Sequence, residues 1–149
     1  MSGYIDRLQR FVDRQSSPVV LRYELSGICS ESQMNRLIKQ ACDEGFLIRV
    51  SRGVYVKARK SRVSGEPVPA VAGGFSQLVR LVLTRLGVEY VESDAWYEYQ
   101  AGRSNQIPAN SVLYVARNCS RTIEFGGMKA NLIRVSQKKL NDTKGEYRL

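Results

Sequence analysis

The chain is 149 residues long, 43% hydrophobic and 25% charged, with three cysteines and no histidine. That length suits one domain or two small ones with a core of their own, and the composition excludes wholesale disorder. Its 23 Lys and Arg outnumber its 14 Asp and Glu, a net +9, which favours a polyanionic partner, nucleic acid ahead of an anionic membrane.

The missing histidine rules out histidine-based triads, His-ligated zinc, histidine general bases and histidine pH switches. Cys29, Cys42 and Cys119 are odd in number and have no CxxC spacing, so they form neither a disulfide framework nor a zinc knuckle and fit a reducing interior. No metal or other cofactor is expected. No run approaches a membrane span, and MSGYIDRLQR lacks the apolar stretch of a signal peptide. The expectation is a cytoplasmic protein without a membrane partner.

Residues 1–62 hold 12 basic and 6 acidic residues. Tyr4, Ile5, Leu8, Phe11 and Val12 recur at helical spacing and predict a first helix. Ser17 followed by Pro18 reads as a helix start, predicting a short second helix over Pro18 to Ser26 closed by Gly27. Ser30 and Gln33 have the spacing of a capping box for a third helix, whose inward stripe is Met34, Leu37, Ile38 and Ala41. Gly45 sits where a left-handed cap belongs. The runs Phe46–Val50 and Val54–Val56 flank Ser51, Arg52 and Gly53, a β-hairpin with glycine at the turn. A helix, a helix–turn–helix and a hairpin in that order spell a winged helix-turn-helix over residues 1–62.

Residues 57–74, KARKSRVSGEPVPAVAGG, carry no apolar periodicity, and residues 63–74 are the expected linker. A small α+β domain is expected over residues 75–149, so the fold class is α+β with a winged helix-turn-helix in front. Phe75, Leu78, Val79, Val82, Leu83 and Leu86 predict a core helix stopped by Gly87. Val88–Glu92 and Val112–Val115 are strand candidates, and Ser93 is placed to cap a short helix through Tyr99. Arg121–Phe125, Gly126-Gly127 and Met128–Val135 read as another hairpin.

The candidate site lies in the first segment. Opposite its apolar stripe, the third helix carries Gln33, Asn35, Arg36, Lys39 and Gln40. Arg hydrogen-bonds guanine edges and Asn or Gln adenine edges, as a recognition helix in a major groove requires. The bland alternative is a solvated helix face. Arg49, Arg52, Lys57, Arg59, Lys60 and Arg62 then follow within fourteen residues, with no acid among them. Their mutual repulsion is relieved by phosphates through counterion release; a basic linker kept for solubility is the alternative.

Enzyme readings are weaker. Ser136-Gln-Lys-Lys139 matches an SxxK spacing without its partner motifs. Glu89, Glu92, Asp94 and Glu98 could hold magnesium but suit a solvated acidic face better. Gly73-Gly74 lacks any surrounding phosphate motif. No catalytic residue is expected. Tyr90, Trp96, Tyr97 and Tyr99 beside the acids are core residues or an anchor patch for a protein partner.

LIKQACDEGFLIRVSRGVYV, ending in Arg52, Gly53, Val54 and Tyr55, resembles the helix–Gly–hairpin signature of the AbiEi-like antitoxins and regulators of type IV toxin–antitoxin systems. IPANSVLYVARNCSRTIEFGG resembles that family's second pattern through Pro108, Ala109, Ser120, Arg121 and Gly126. The resemblance implies a winged helix-turn-helix that binds double-stranded operator DNA in its own promoter region and represses it. It also implies a second domain that counters a nucleotidyltransferase-type toxin, directly or only functionally. On that resemblance Gln33, Asn35, Arg36 and Lys39 fall on the recognition helix, and Arg49 and Arg52 on the wing. A homodimer would suit an inverted-repeat operator. The competing expectation is a protein-interaction module whose second domain binds a partner while the first is a scaffold.

Overall fold

The computed structural model describes residues 3–92, Gly102 and residues 112–147. The protein is α+β and divides into two compact units, Met1–Gly74 and Phe75–Leu149.

The first unit begins with α1 (Tyr4–Arg14), which buries Leu8 and Val12. The predicted second helix is not formed. Val19–Leu21 is instead a strand, β1, and only Arg22–Leu25 turns, as a single 3-10 helix. The reason is tertiary: Val19, Val20 and Leu21 pair antiparallel with Val56, Tyr55 and Val54, and all three are buried. Two of them are β-branched, so the ladder suits them better than a helix. The Glu24 carboxylate accepts the Leu21 N–H at 2.9 Å, fixing the exit from the strand.

The third predicted helix is α2 (Glu31–Asp43), and its expected stripe of Met34, Leu37, Ile38 and Ala41 is buried. Ser30 is its N-cap residue, but the capping box does not close. The Ser30 hydroxyl donates to the Gln33 side-chain oxygen at 3.1 Å rather than accepting a backbone N–H. The C-terminus is closed by a Schellman motif: Gly45 N–H donates to the Cys42 carbonyl at 3.1 Å and Phe46 N–H to that of Ala41 at 3.2 Å. Gly45 has φ +84°, a conformation an L side chain resists.

β2 (Leu47–Ser51) and β3 (Val54–Lys60) form the expected hairpin, with Arg52-Gly53 as its two-residue turn and a register shift between Arg49 and Ser51. β3 is longer than the sequence suggests, because a further strand, β4 (Pro67–Pro69), pairs antiparallel with Ala58–Lys60. Residues 57–60 and 67–69 are therefore strand, and the expected linker over residues 63–74 contains β4. Proline is tolerated there because β4 pairs only with β3 and lies off the β1-β3-β2 path. The loop between them is ordered by Ser61, whose N–H donates to the Glu66 carbonyl at 2.8 Å and whose hydroxyl accepts the N–H of Val63 and Ser64. Leu8, Val12, Val20, Leu25, Met34, Leu37, Ile38, Ala41, Leu47 and Tyr55 make one core.

In the second unit, α3 (Gly74–Arg85) buries Leu78, Val79, Val82 and Leu83 as predicted. β5 (Tyr90–Glu92) pairs antiparallel with β6 (Val112–Ala116). The expected hairpin over residues 121–135 is shorter: β7 (Glu124–Phe125) and β8 (Met128–Lys129) flank Gly126-Gly127, and then β9 (Asn131–Val135) leaves it to pair in parallel with β6. An unpredicted helix, α4 (Gln137–Tyr147), follows. It begins where the SxxK spacing lies, and the Ser136 hydroxyl accepts the Lys139 N–H at 3.2 Å as a helix cap. Val91, Val135 and Leu140 form a buried cluster there, with Tyr114 and Ala116 packed on it. The expected helix from Ser93 to Tyr99 lies outside the described residues.

Candidate nucleic-acid interface

α2 carries the helical part of the site. With Met34, Leu37, Ile38 and Ala41 committed to the core, its periodicity turns Gln33, Asn35, Arg36, Lys39 and Gln40 outward, and all five are exposed. Arg36 and Lys39 lie opposite the buried stripe, whereas Gln33, Asn35 and Gln40 flank it. Two of these flanking amides already have partners: Gln33 Oε1 accepts from Ser30, and Asn35 Oδ1 accepts from Arg22 Nη1 at 2.6 Å.

Arg22 is the residue that sequence reasoning missed. Placed in a second helix it had no evident role, and its partners lie nine and thirteen residues away, beyond any local periodicity. On the 3-10 helix it reaches three places. Its backbone N–H donates to the Gly53 carbonyl in the hairpin turn at 2.9 Å. Its guanidinium donates to Asn35 on α2 and, at 3.2 Å, to the Glu31 carboxylate. One residue therefore joins the Arg52-Gly53 turn to the N-terminal half of α2. The Glu31 carboxylate is 77% exposed, so the ion pair adds little stability, but it covers the acid in the first turn of α2.

The strands supply the rest of the positive charge. Arg49 stands opposite Tyr55 in register and is exposed; Arg52 is exposed in the turn. Arg59 and Lys60 are exposed near the end of β3, Arg62 in the loop beyond it. Arg59, Lys60, Ser61, Arg62 and Val63 line an open cleft of about 470 Å³, rimmed by three cations and capped by the almost fully exposed Val63. Lys57 departs from expectation. It is half-buried, and its ammonium donates to the Gln15 carbonyl at 2.5 Å, fastening β3 to the end of α1. It is withdrawn from the exposed cationic set.

Cys42 packs partly buried against the first core, and burial pushes its thiol pKa up, the direction of a structural cysteine rather than a reactive one. In the second unit, two of the acids weighed for magnesium are engaged elsewhere. Glu92 accepts from Arg80 at 2.5 and 3.1 Å, and Glu89 pairs with Lys144. Of the aromatic patch, Tyr90 is half-buried in β5; Trp96, Tyr97 and Tyr99 lie outside the described residues, as do Asp94 and Glu98. Among the described residues no group of three or more His, Cys, Asp or Glu is placed to hold a metal ion, and no helix is long and apolar enough to cross a membrane.

Comparison with known proteins adds no assignment: no protein-family model matches this chain, and no curated protein matches it.

Proposed function

We propose that this chain is a sequence-specific, double-stranded-DNA-binding transcription regulator. α2 is its recognition helix and the β2–β3 hairpin its wing, so residues of the first unit act as a winged helix-turn-helix whose second helix is reduced to one 3-10 turn. The observation that carries the reading is the juxtaposition made by Arg22. An outward face of Arg36, Lys39 and Gln40 adjoins, through one residue, a hairpin whose exposed cations Arg49, Arg52 and Arg59 have no acid between them. Such a face donates to guanine O6 and N7, and flanking arginines meet phosphates. The motif resemblance further supports an autoregulatory antitoxin of the type IV class, in which the second unit counters a partner toxin.

The reading is tested by fluorescence anisotropy with duplex DNA from directly upstream of the gene against a random duplex, across a salt series. Selective binding whose affinity falls linearly in log–log form with salt is expected. Equal, weak binding to both duplexes would reduce the basic surface to a generic polyanion binder.

A further inference from the structure

Taking α2 as the recognition helix, we infer that Arg22 locks the Asn35 amide with its oxygen turned towards the guanidinium, so that position 35 presents its Nδ2 donors to a base. The argument begins with the chemistry of the guanidinium, which has five N–H donors and no acceptor. The atom of Asn35 at 2.6 Å from Arg22 Nη1 must therefore be the side-chain oxygen. The Nδ2 amino group is directed away from it, on an exposed residue. A rotation of the amide by half a turn would set N–H against N–H beside a charge.

Arg22 is itself constrained. Its backbone N–H is held by Gly53 at 2.9 Å and its second terminal nitrogen, Nη2, by Glu31 at 3.2 Å, and its side chain is only 30% exposed. The clamp is thus built from the hairpin turn, the 3-10 helix and α2, and it stands in the protein before any ligand arrives.

The consequence is a change in the expected code. An unrestrained asparagine reads adenine with both ends of its amide, accepting from N6–H and donating to N7. With its oxygen turned to Arg22 and one of its two lone pairs used there, Asn35 meets a base chiefly through its Nδ2 donors. Guanine presents two acceptors, N7 and O6, in the major groove; adenine presents one acceptor beside a donor, and cytosine presents a donor. Position 35 then selects guanine over adenine and rejects cytosine, and Arg22 is a positioning residue for specificity without touching the base.

The test is selection of bound sequences from a random duplex pool by the full chain and its variants. Asn35→Ala identifies the dependent base pair as the one where preference is lost. There the wild type should favour guanine over adenine and cytosine by about 5- to 10-fold. Arg22→Leu should turn that preference to adenine, whereas Arg22→Lys, whose ammonium also only donates, should keep guanine. Asn35→Asp, which offers acceptors alone, should move the preference to cytosine and so marks position 35 as a base contact, while the guanine preference of the wild type tests the clamp even if Arg22→Leu fails to fold. Adenine preferred by the wild type, or a preference indifferent to both Arg22→Leu and Asn35→Asp, would overturn the clamp while leaving DNA recognition intact. So would an Arg22→Leu protein weakened equally on every duplex with a shallower salt slope, which makes Arg22 a phosphate ligand. Absence of any duplex binding would overturn the clamp and the proposed function together.

Discussion

The ring of Pro67 lies against Gly45: a Cβ added to that glycine would stand 3.3 Å from Pro67 Cγ. Gly45 therefore serves twice, as the left-handed closure of α2 and as the gap into which the first residue of β4 fits. Gly53 also has positive φ, but a Cβ there would stand an ordinary 4.0 Å from Arg22 Cβ. Alanine at Gly53 should cost about 1–2 kcal/mol for the left-handed backbone alone. Alanine at Gly45 should cost that and more, since a rigid proline ring paired into a sheet must move. Urea denaturation of the two variants checks the order, and equal losses would mean that Pro67 yields freely.

The two faces of α2 should separate stability from binding. Met34 is 1% exposed in the first core, and Met34→Ala should lower stability by about 2–5 kcal/mol through lost contacts and a residual cavity. Arg36, on the opposite face, is exposed. Arg36→Ala should leave stability within about 0.5 kcal/mol and weaken the selected duplex by about 1–3 kcal/mol, with a smaller loss on random DNA. Denaturation and anisotropy on the same two proteins give both answers. An Arg36→Ala protein that binds both duplexes like the wild type would remove α2 from the interface.

What could be read from the residues were the features fixed by local rules. The α2 stripe follows helical spacing, Gly45 marks a helix end, and Arg52-Gly53 between β-branched runs marks a hairpin. The errors share a cause, which is that pairing partners far along the chain decide the outcome. Val19–Leu21 followed a helix-start signal yet became a strand, because its partners Val54–Val56 on β3 lie 33 to 37 residues further along the chain, beyond any local signal. Prolines and serines over residues 61–69 have the composition of a linker and equally of a tight loop and an edge strand; only Ala58–Lys60 as a partner distinguishes them. Lys57 counted as one cation in a run until Gln15, forty-two residues away, claimed it. The same holds for Arg22.

The second unit contains a test of buried charge. Arg80 on α3 and Glu92 on β5 make a two-pronged ion pair with side chains only 11% and 12% exposed, and the hydrogen bond to Glu92 pushes the guanidinium pKa up. Arg80→Met should destabilise the chain by about 3–5 kcal/mol, because Glu92 would remain in a poorly solvated place without its partner. The double variant Arg80→Met with Glu92→Leu should recover most of the loss. Thermal and urea unfolding of both proteins checks this, and a double variant no better than the single one would show that packing by the arginine stem matters more than its charge.

Cys42 supplies the pH dependence. Its thiol pKa is pushed up chiefly by burial and further by the nearby Asp43 carboxylate, with a hydrogen bond from the Arg49 backbone and the Arg49 charge opposing. A raised folded-state pKa means that the folded protein holds this proton more firmly than the unfolded chain. The contribution is complete below the unfolded thiol pKa of about 8.5. It is lost as pH rises through the folded value, because the unfolded chain ionises first. Between about pH 8 and about pH 10, the wild type should therefore lose stability relative to Cys42→Ala. Urea midpoints of the two proteins at both ends of that range measure it directly. Parallel profiles would mean that the thiol ionises as readily folded as unfolded.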